Sequence, residues 1–442
     1  MKVIIYGAGK TGFKLAESLY NEGGNIVVID KDPKKLNIFI ERLDVLCVEG
    51  NLGDESTIKK SNLRISDVFV AVSDIDEENI VACIIAKKLG VKKTLARLRN
   101  PTYFNNDLFD PGLLGIDHIV NPEREVAFEI SKIISIPLTT DVDSVVREKL
   151  SLLEIRVADF EISYLKEKLN LLLDKHKIIV INDEKKKLDF YSENFDLKNE
   201  DYVYLIHTTN DIQTVNNLFY DRYPKIKNVM IVGGGQTASE LIKLLEKTNV
   251  NVKVFEISDE RCAQLNNIHK KAMVLCGDAT DIDLLLHEDL DKIDCFVALM
   301  GDDENNMVLS VFAKHKGIRK VITKISKPYG TDLLDNIAIT VPVDINRVTV
   351  NKIRGYVTMK QLVTLTNLYG DYEMLEFIVT KKSKILGQII YDKKFSTNVY
   401  IGALYRDFQL IHDFEGEEFK LHDRIIIFTK KNKISKVEKY FK

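Results

Sequence analysis

The chain has few residues that could build a metal site or a disulfide framework. Its 442 residues include five cysteines, an odd number with no CxxC pair, and eight histidines with no HExxH or other ligand spacing. This usage favours reduced, buried thiols in a cytoplasmic protein over disulfides or a zinc site. We therefore expect no metal centre, and free thiols at Cys47, Cys83, Cys262, Cys276 and Cys295.

Long apolar runs and an excess of one charge are also absent. No stretch approaches the ~18 uninterrupted apolar residues that a transmembrane helix needs. A core strand predicted at residues 2–6 leaves no room before it for a signal peptide. Lysine and arginine together number 63 and aspartate and glutamate 66, so no global field attracts nucleic acid or an anionic membrane. We expect a cytoplasmic protein that binds no nucleic acid.

What the sequence does contain is an internal repeat. MIVGGGQTASELIKLLE in the second half resembles VIIYGAGKTGFKLAESLY near the start. A fixed offset relates Gly7 to Gly233, and the same offset relates Asp30 to Glu256. Further along, VAVSDIDEENIVA recurs as VALMGDDENNMVL with one residue of drift. Similarity at a nearly constant offset over many elements is typical of a duplicated structural unit.

Each half alternates short apolar runs with segments of helical spacing. In the first half the apolar runs are KVIIYG, NIVVID, DVLCVEG, DVFVAVS, KTLARL and DHIVN. Such runs, rich in β-branched residues and separated by helices, predict buried parallel strands with right-handed crossovers. The length suggests roughly two to four domains. We predict an α/β fold of two tandem Rossmann-like, doubly wound parallel-sheet domains, each followed by a small α+β lobe.

The predicted boundaries follow from where the alternation stops. The first Rossmann-like domain covers residues 1–135 and its lobe 150–210; the second covers 226–355 and its lobe 370–442. In each lobe we expect short strands around one helix. Residues 135–141 and 367–373 are the predicted connections.

A glycine-rich loop, GAGKTG, lies between the first predicted strand and the first predicted helix. In this context Gly7 permits a tight turn, Gly9 lets the backbone approach a pyrophosphate, and Gly12 lets the helix pack on the strand. The helix N-terminus then offers free N–H groups to phosphate. Asp30 ends the second strand, where a carboxylate can accept hydrogen bonds from both adenosine ribose hydroxyls. The alternative is that Asp30 only caps the following helix.

The second half repeats this arrangement with two changes. The third glycine becomes Ala238, which the fingerprint tolerates, and the acid is Glu256. A carboxylate here repels a 2′-phosphate, so NAD(H) is favoured over NADP(H). A competent second site and a degenerate structural repeat both remain open.

Polar residues also follow the fourth and fifth strands. Ser73 and Asp74 lie at the crevice rim where ligands of such sheets bind, although acids there also suit a helix N-terminus. Arg97 and Arg99 leave the fifth strand, and Lys324 holds the position of Arg97 in the second half. A cation there could reach the phosphates or form an ordinary surface salt bridge.

Together these motifs resemble the regulator of potassium conductance (RCK, also called KTN) domains. The resemblance runs from Met1 to about Phe441 and rests on GAGKTG, Asp30, AVSDIDEENIVAC, ARLRNP, GGGQTASELIKLLE, CGDATD, GDDENN and DRIIIFTKKNKISKVEKYF. It implies Rossmann units that bind NAD(H), or ATP or ADP, and subunits that assemble into a homo-oligomeric ring. It also implies that the ring gates an integral-membrane potassium translocator from the inner face of the cell membrane.

The resemblance also implies which residues bind the nucleotide. The first site would use Gly7, Ala8, Gly9, Lys10, Thr11, Gly12, Asp30, Ser73, Asp74 and Arg97. The second would use Gly233, Gly234, Gly235, Gln236, Thr237 and Glu256.

Catalytic residues are harder to find. A dehydrogenase needs an acid or base beside the nicotinamide. The first lobe has no histidine before His176 and no His–carboxylate or Cys–His pair. We therefore expect a regulatory subunit rather than an enzyme. The alternatives are an NAD-dependent oxidoreductase with an unrecognised catalytic group and a scaffold with vestigial loops.

Overall fold

A computed structural model describes most of the chain. The described residues are 1–21, 23–103, 110–136, 141–145, 150–174, 176–182, 187–208, 212–219, 224–327, 341–357, 362–390, 399–407, 409–411 and 413–441. None of the described helices is both long enough and apolar enough to cross a membrane.

The first domain is a six-stranded, wholly parallel sheet. Its strands are β1 Lys2–Tyr6, β2 Asn25–Asp30, β3 Leu46–Glu49, β4 Val68–Ala71, β5 Lys93–Arg97 and β6 His118–Val120. They lie in the order β3-β2-β1-β4-β5-β6, so the strand order reverses between β1 and β4. The helices are α1 Lys10–Asn21, α2 Pro33–Arg42, α3 Glu55–Ser61, α4 Asp76–Lys88 and α5 Pro122–Ser135. The reversal creates the crevice where ligands of doubly wound sheets bind.

The first small lobe is a five-stranded antiparallel sheet in the order β10-β9-β11-β8-β7. Its strands are β7 Asp141–Val145, β8 Leu150–Arg156, β9 Ile178–Asn182, β10 Lys187–Phe190 and β11 Tyr202–Thr208. Its helices are α6 Ile162–Asn170 and α7 Ile212–Asn217.

The second domain repeats the first, with strand order β14-β13-β12-β15-β16-β17 and parallel pairing throughout. Its strands are β12 Asn228–Val232, β13 Asn251–Glu256, β14 Met273–Cys276, β15 Cys295–Ala298, β16 Lys320–Ile325 and β17 Val341–Asp344. Its helices are α8 Gln236–Leu245, α9 Asp259–Ile268, α10 Ile282–Leu286, α11 Asp303–His315 and α12 Ile345–Val357.

The second small lobe is antiparallel in the order β18-β19-β22-β20-β21. Its elements are β18 Leu362–Asn367, β19 Tyr372–Ile378, β20 Val399–Arg406, β21 Gln409–Ile411, β22 Arg424–Lys430 and α13 Ile434–Phe441. The predicted connection at 367–373 is wrong, because residues 368–371 form the turn between β18 and β19 and the other three residues belong to those two strands. The described helix of this lobe follows the last strand instead of lying among the strands. The predicted fold class is confirmed.

The last helix of each Rossmann-like domain packs on the other domain. Val126 and Ile130 of α5 lie in one apolar core with Leu241 of α8. Conversely, Ile353 of α12 lies in a core with Leu15 of α1. Each parallel sheet is therefore covered partly by a helix from the opposite half of the chain.

The two small lobes also pack face to face. Ile179 and Tyr204 of the first lobe share a buried cluster with Met374 and Phe428 of the second. The Tyr204 hydroxyl accepts a hydrogen bond from the backbone N–H of Tyr369 at 2.9 Å. The chain thus folds as two similar halves joined by reciprocal contacts.

Candidate nucleotide-binding sites

The first glycine-rich loop joins β1 to α1 at the point where the strand order reverses. Gly7 has φ of +112°, and a Cβ there would lie 2.6 Å from the backbone nitrogen of Ser73. A Cβ on Gly12 would overlap the carbonyl oxygen of Gly7. By contrast, no described heavy atom lies within 4 Å of the Cβ position of Gly9. Two glycines are therefore required by packing, and the third faces open space where a phosphate could approach.

Asp30 holds this loop from the end of β2. Its Oδ2 accepts a hydrogen bond from the Ala8 N–H at 2.6 Å, and its Oδ1 accepts one from the Asp32 N–H at 2.9 Å. The cap of α2 is Asp32, whose side chain accepts from the Lys34 N–H. The capping role considered for Asp30 thus belongs to Asp32. Asp30 is only 9% exposed and lies beside the loop, as ribose recognition requires.

Arg97 lies buried beneath the same loop, with 4% of its surface exposed. Its Nη2 donates to the Ser73 carbonyl at 3.0 Å and to Asp74 Oδ1 at 2.8 Å, and its Nη1 donates to Thr11 Oγ1 at 3.2 Å. Its Nε has no hydrogen-bond partner among the described residues. Burial, reinforced by the charge of Arg99, lowers the pKa of Arg97, yet a guanidinium stays protonated in proteins.

Asp74 is the exposed partner of this buried cation. Its side chain is 70% exposed, against 5% for the Arg97 side chain. Partial burial acts to raise the pKa of Asp74, but the hydrogen bond and charge of Arg97 hold that pKa below its usual value. The alternative for Arg97 was an ordinary surface salt bridge. Only Asp74 of this ion pair lies at the surface, whereas Arg97 is buried. A buried positive charge remains below the loop.

Asn79 positions Ser73 and Arg97, and sequence reasoning did not assign it a role. Its amide donates to the carbonyls of Ser73 and Arg97 at 2.9 and 2.8 Å, and its oxygen accepts from the Ser73 N–H. Asn306 makes the same three contacts to Met300 and Lys324. Both asparagines are fully buried, and their recurrence in the repeat was the signal that could have identified them.

The second half of the chain completes the back of the first site. Thr11 is buried and donates from Oγ1 to Asn346 Oδ1 of α12 at 3.3 Å. One turn later, Lys14 forms an ion pair with Asp344 at 2.6 Å. Lys10, the first residue of α1, is exposed. Helix α12, which packs on the domain of the opposite half, therefore contacts α1, the helix that begins at the phosphate-facing loop.

The second loop is built in the same way as the first. Gly233 has φ of +97°, and a Cβ there would lie 2.8 Å from the Met300 backbone nitrogen. A Cβ on Gly235, by contrast, would have no described heavy atom within 4 Å apart from its own chain neighbours. Glu256 Oε2 accepts from the Gly234 N–H at 2.7 Å, and its Oε1 accepts from the Ser258 N–H at 2.9 Å. The longer acid thus makes the two backbone contacts that Asp30 makes in the first half.

The cations of the second site differ from those of the first. Lys324 donates from Nζ to the Leu299 carbonyl at 3.2 Å; burial lowers its pKa, while Asp303 and Glu123 act to raise it. Arg261 of α9 donates from Nε to the Gly234 carbonyl at 2.8 Å. A further Arg261 contact reaches Gln236 Oε1 at 3.5 Å, next to the buried Thr237.

Arg261 was missed by sequence reasoning. Its counterpart in the repeat is Lys35, which is exposed. No glycine or strand pattern identifies a helix residue that reaches back to the loop, so this contact could not be predicted from the sequence. The second loop therefore receives a guanidinium from helix α9, whereas the guanidinium at the first loop, Arg97, comes from strand β5.

The cysteine prediction is wrong for two of the five positions. The structure joins Cys262 of α9 and Cys276 of β14 in a disulfide, with their Cα atoms 6.1 Å apart. That separation is ordinary for a disulfide. The remaining cysteines are free: Cys83 and Cys295 are buried, and Cys47 is half-buried.

A Ser–His–Glu arrangement in the second domain was also missed. Ser239 Oγ and His269 Nε2 are 2.8 Å apart, and His269 Nδ1 lies 3.7 Å from Glu246 Oε2. His269 is 2% exposed, and burial lowers its pKa despite the opposing effect of Glu246. These groups join α8 to the end of α9.

Among the described residues, no group of three or more His, Cys, Asp or Glu side chains is placed to hold a metal ion.

Comparison with known proteins identifies both repeats. The family model described as TrkA-N domain matches residues 3–122 and 229–344, and the TrkA-C domain model matches residues 374–442. The Trk system potassium uptake protein TrkA homolog 1 of Methanosarcina mazei is 30% identical, with all of both chains covered. The TrkA homolog of Archaeoglobus fulgidus is 27% identical, also over the whole of both chains.

Solved structures share the fold at low identity. A structure of the GsuK channel bound to NAD has a TM-score of 0.61 at 15% identity, and the match covers 99% of this chain and 78% of that one. The GsuK RCK domain has a TM-score of 0.59 at 15% identity, covering 100% and 94%.

Proposed function

Because the chain belongs to the TrkA family, we propose that it is a nucleotide-binding regulatory subunit that gates a membrane potassium-uptake transporter. The observation that carries the proposal is the doubled loop. In each half an acid holds the second residue of a glycine-rich loop, and a basic side chain, the buried Arg97 or the half-buried Lys324, lies near the end of the fifth strand. This arrangement matches the chemistry of a dinucleotide, which presents ribose hydroxyls and phosphates to one crevice.

NAD(H) is the ligand that the two acids favour, with ATP or ADP as the other candidates. Asp30 and Glu256 each keep acceptor capacity for ribose hydroxyls beyond the backbone contacts that they already make. The same negative charge repels a 2′-phosphate, which disfavours NADP(H). Solved GsuK structures are described as bound to NAD and to ADP, which supports this choice of ligands.

We place the protein in the cytoplasm, at the inner face of the cell membrane, as a homo-oligomeric ring on an integral-membrane potassium translocator. The relatives named as Trk system potassium uptake proteins support this partner.

The two helices that pack on the opposite domain, α5 and α12, provide a route by which nucleotide binding affects the ring. A nucleotide in the first site would contact the loop and the start of α1, whose Thr11 and Lys14 contact Asn346 and Asp344 of the other half. A ligand that fits one relative position of the two halves better than another would shift the equilibrium toward that position. Binding without such a difference in affinity would not regulate anything.

The test is potassium uptake into vesicles that contain the translocator, with and without this protein, across a titration of NAD and of NADH. We expect uptake to depend on both the protein and the nucleotide. A chain carrying Gly9→Val and Gly235→Val is the matched control, because both positions have room for the added side chain in the ligand-free protein. Uptake that ignores protein and nucleotide alike would contradict the proposal. Steady oxidation of NADH by the purified chain would instead support the oxidoreductase alternative.

A further inference from the structure

Two cysteines lie beside the second nucleotide-binding loop. Cys262 is in α9 and is 2% exposed, whereas Cys276 is the last residue of β14 and is exposed. The two are 14 residues apart in sequence and are joined in the structure. One member of the pair is therefore reachable from solvent and the other is enclosed by the domain.

The pair surrounds the backbone of Glu256. Cys276 is the direct partner of Glu256 in the β13–β14 register. The next residue, Gly277, donates its N–H to the Glu256 carbonyl at 2.9 Å. The Cys262 sulfur lies 3.3 Å from the same carbonyl oxygen. A bond between the two sulfurs thus fixes α9 to β14 across the residue that holds the glycine-rich loop.

Arg261 extends the effect of this bond to the loop itself. It precedes Cys262 in α9, and its guanidinium donates to the Gly234 carbonyl at 2.8 Å. Both side chains that hold the second loop, Glu256 and Arg261, therefore adjoin a cysteine of the pair.

The first half has no equivalent of this pair. Glu49 takes the place of Cys276, since it pairs with Asp30 in the β2–β3 register, and Leu36 takes the place of Cys262 in α2. The first loop is thus built on the same frame without a bond between helix and strand. Any effect of oxidation at the pair should be confined to the second site.

We propose that Cys262 and Cys276 form a reversible dithiol–disulfide pair that controls nucleotide affinity at the second site. The inference rests on the proposed function, because it takes the second loop to bind nucleotide. In the cytoplasm, where we place this protein, disulfides are rare and those that form are usually transient and catalytic or redox-sensing. The partner chemistry is a low-molecular-weight disulfide as oxidant and a thiol as reductant.

Oxidation proceeds by two exchange steps. The thiolate of exposed Cys276 attacks one sulfur of the small disulfide, forms a mixed disulfide and releases one small thiolate. The thiolate of Cys262 then attacks the Cys276 sulfur, forms the protein disulfide and releases the second small thiolate. The two cysteine protons pass to the two leaving thiolates. The protein pair loses two electrons and the small disulfide gains them.

The disulfide form should bind nucleotide more tightly. With α9 tied to β14, Glu256 and Arg261 are held in place before the ligand arrives, so less order has to be imposed on binding. With the thiols reduced, α9 is free to move relative to β14, and the acid and the guanidinium lose that support.

The experiment is titration calorimetry of the full-length Gly9→Val chain with NAD, since that substitution silences the first site and leaves the second. One sample is oxidised with bis(2-hydroxyethyl) disulfide and one reduced with a phosphine, and free thiols are counted in both. We expect oxidation to remove two thiols and to tighten NAD binding by at least about five-fold, the lower end of ordinary coupling between sites. Adding Cys276→Ser should abolish the difference, and adding Cys47→Ser should preserve it.

The first site provides an internal control against a purely structural disulfide. A Gly235→Val chain reports the first site and should bind NAD equally in both states, even if its melting temperature changes. Equal affinity of the Gly9→Val chain in both states, or no loss of thiols on oxidation, would overturn the switch and leave the proposed function standing. Failure of that chain to bind NAD in either state would overturn the second site and the switch together.

Discussion

At the scale of single residues, two acids of different length make equivalent contacts. Asp30 accepts from the Ala8 N–H at 2.6 Å and Glu256 accepts from the Gly234 N–H at 2.7 Å. The extra methylene of Glu256 is therefore absorbed without moving the carboxylate away from the loop. Each acid fixes the loop and, in the proposed function, also binds the ribose.

We expect Asp30→Ala to weaken NAD binding at the first site by about 1.5–3 kcal/mol, the range for losing a charge-assisted hydrogen bond. It should also relax the exclusion of NADP. Calorimetry with both cofactors measures the effect. The matched control is Asp32→Ala, which removes the cap of α2 and should cost about 1 kcal/mol of stability while leaving NAD affinity unchanged. Unchanged affinity for both cofactors in Asp30→Ala would restrict Asp30 to a structural role.

Two glycines of the first loop have different roles: Gly7 is needed for folding, and Gly9 for nucleotide binding. Gly9→Val should fold normally and lose the first site, because the added side chain occupies the open space in front of the loop. Gly7→Val should fail to fold stably, because its Cβ would meet the backbone of Ser73 and its φ is strained for any larger residue. Circular dichroism and NAD titration of the two variants distinguish these outcomes. A Gly9→Val chain that binds two NAD molecules would refute this assignment.

At the scale of elements, strands were predictable and helix partners were not. Runs such as KVIIYG and NIVVID are buried on both faces and could hardly be anything but central strands. The apolar face of α5 predicts burial, but not burial against α8 of the other half. Contacts between residues distant in sequence, such as Thr11 with Asn346, depend on the packing of α12 against the first domain. The glycines and acids were identified from local spacing, whereas Arg261, Asn346 and the cysteine pair were not.

Helix α12 offers a test of the exchange. We expect Asn346→Ala to weaken NAD binding at the first site several-fold, because Thr11 loses its acceptor and Arg97 in turn loses a fixed partner. A double-mutant cycle with Thr11→Val should show a coupling of about 0.5–3 kcal/mol. Lys352→Ala is the matched control, because it also removes a contact between the halves, at 3.1 Å, but that contact is to Glu125 of α5 and not to α1. Additive effects of Asn346→Ala and Thr11→Val would show that α12 does not position the loop.

At the scale of the whole molecule, the proposed function requires nucleotide binding and transporter binding to affect each other equally. If nucleotide changes the state of a ring docked on the translocator, then the translocator changes nucleotide affinity by the same factor. We expect NAD affinity to shift by roughly 5–150-fold, a coupling of about 1–3 kcal/mol, when purified translocator is added. Titration calorimetry with NAD, with and without the translocator in nanodiscs, measures this shift in affinity. Identical affinities would show that binding and gating are uncoupled.

The exchange of α5 and α12 has a consequence for how the two halves can evolve. Each sheet is covered partly by a helix from the other repeat. The two halves of this single polypeptide are therefore arranged like the two subunits of a two-fold symmetric dimer. In a true homodimer, every substitution appears in both sites at once. Here a single codon change alters one site and leaves its twin untouched. The cysteines beside Glu256 and the buried arginine beneath the first loop are differences of this kind, which identical subunits could not have acquired separately.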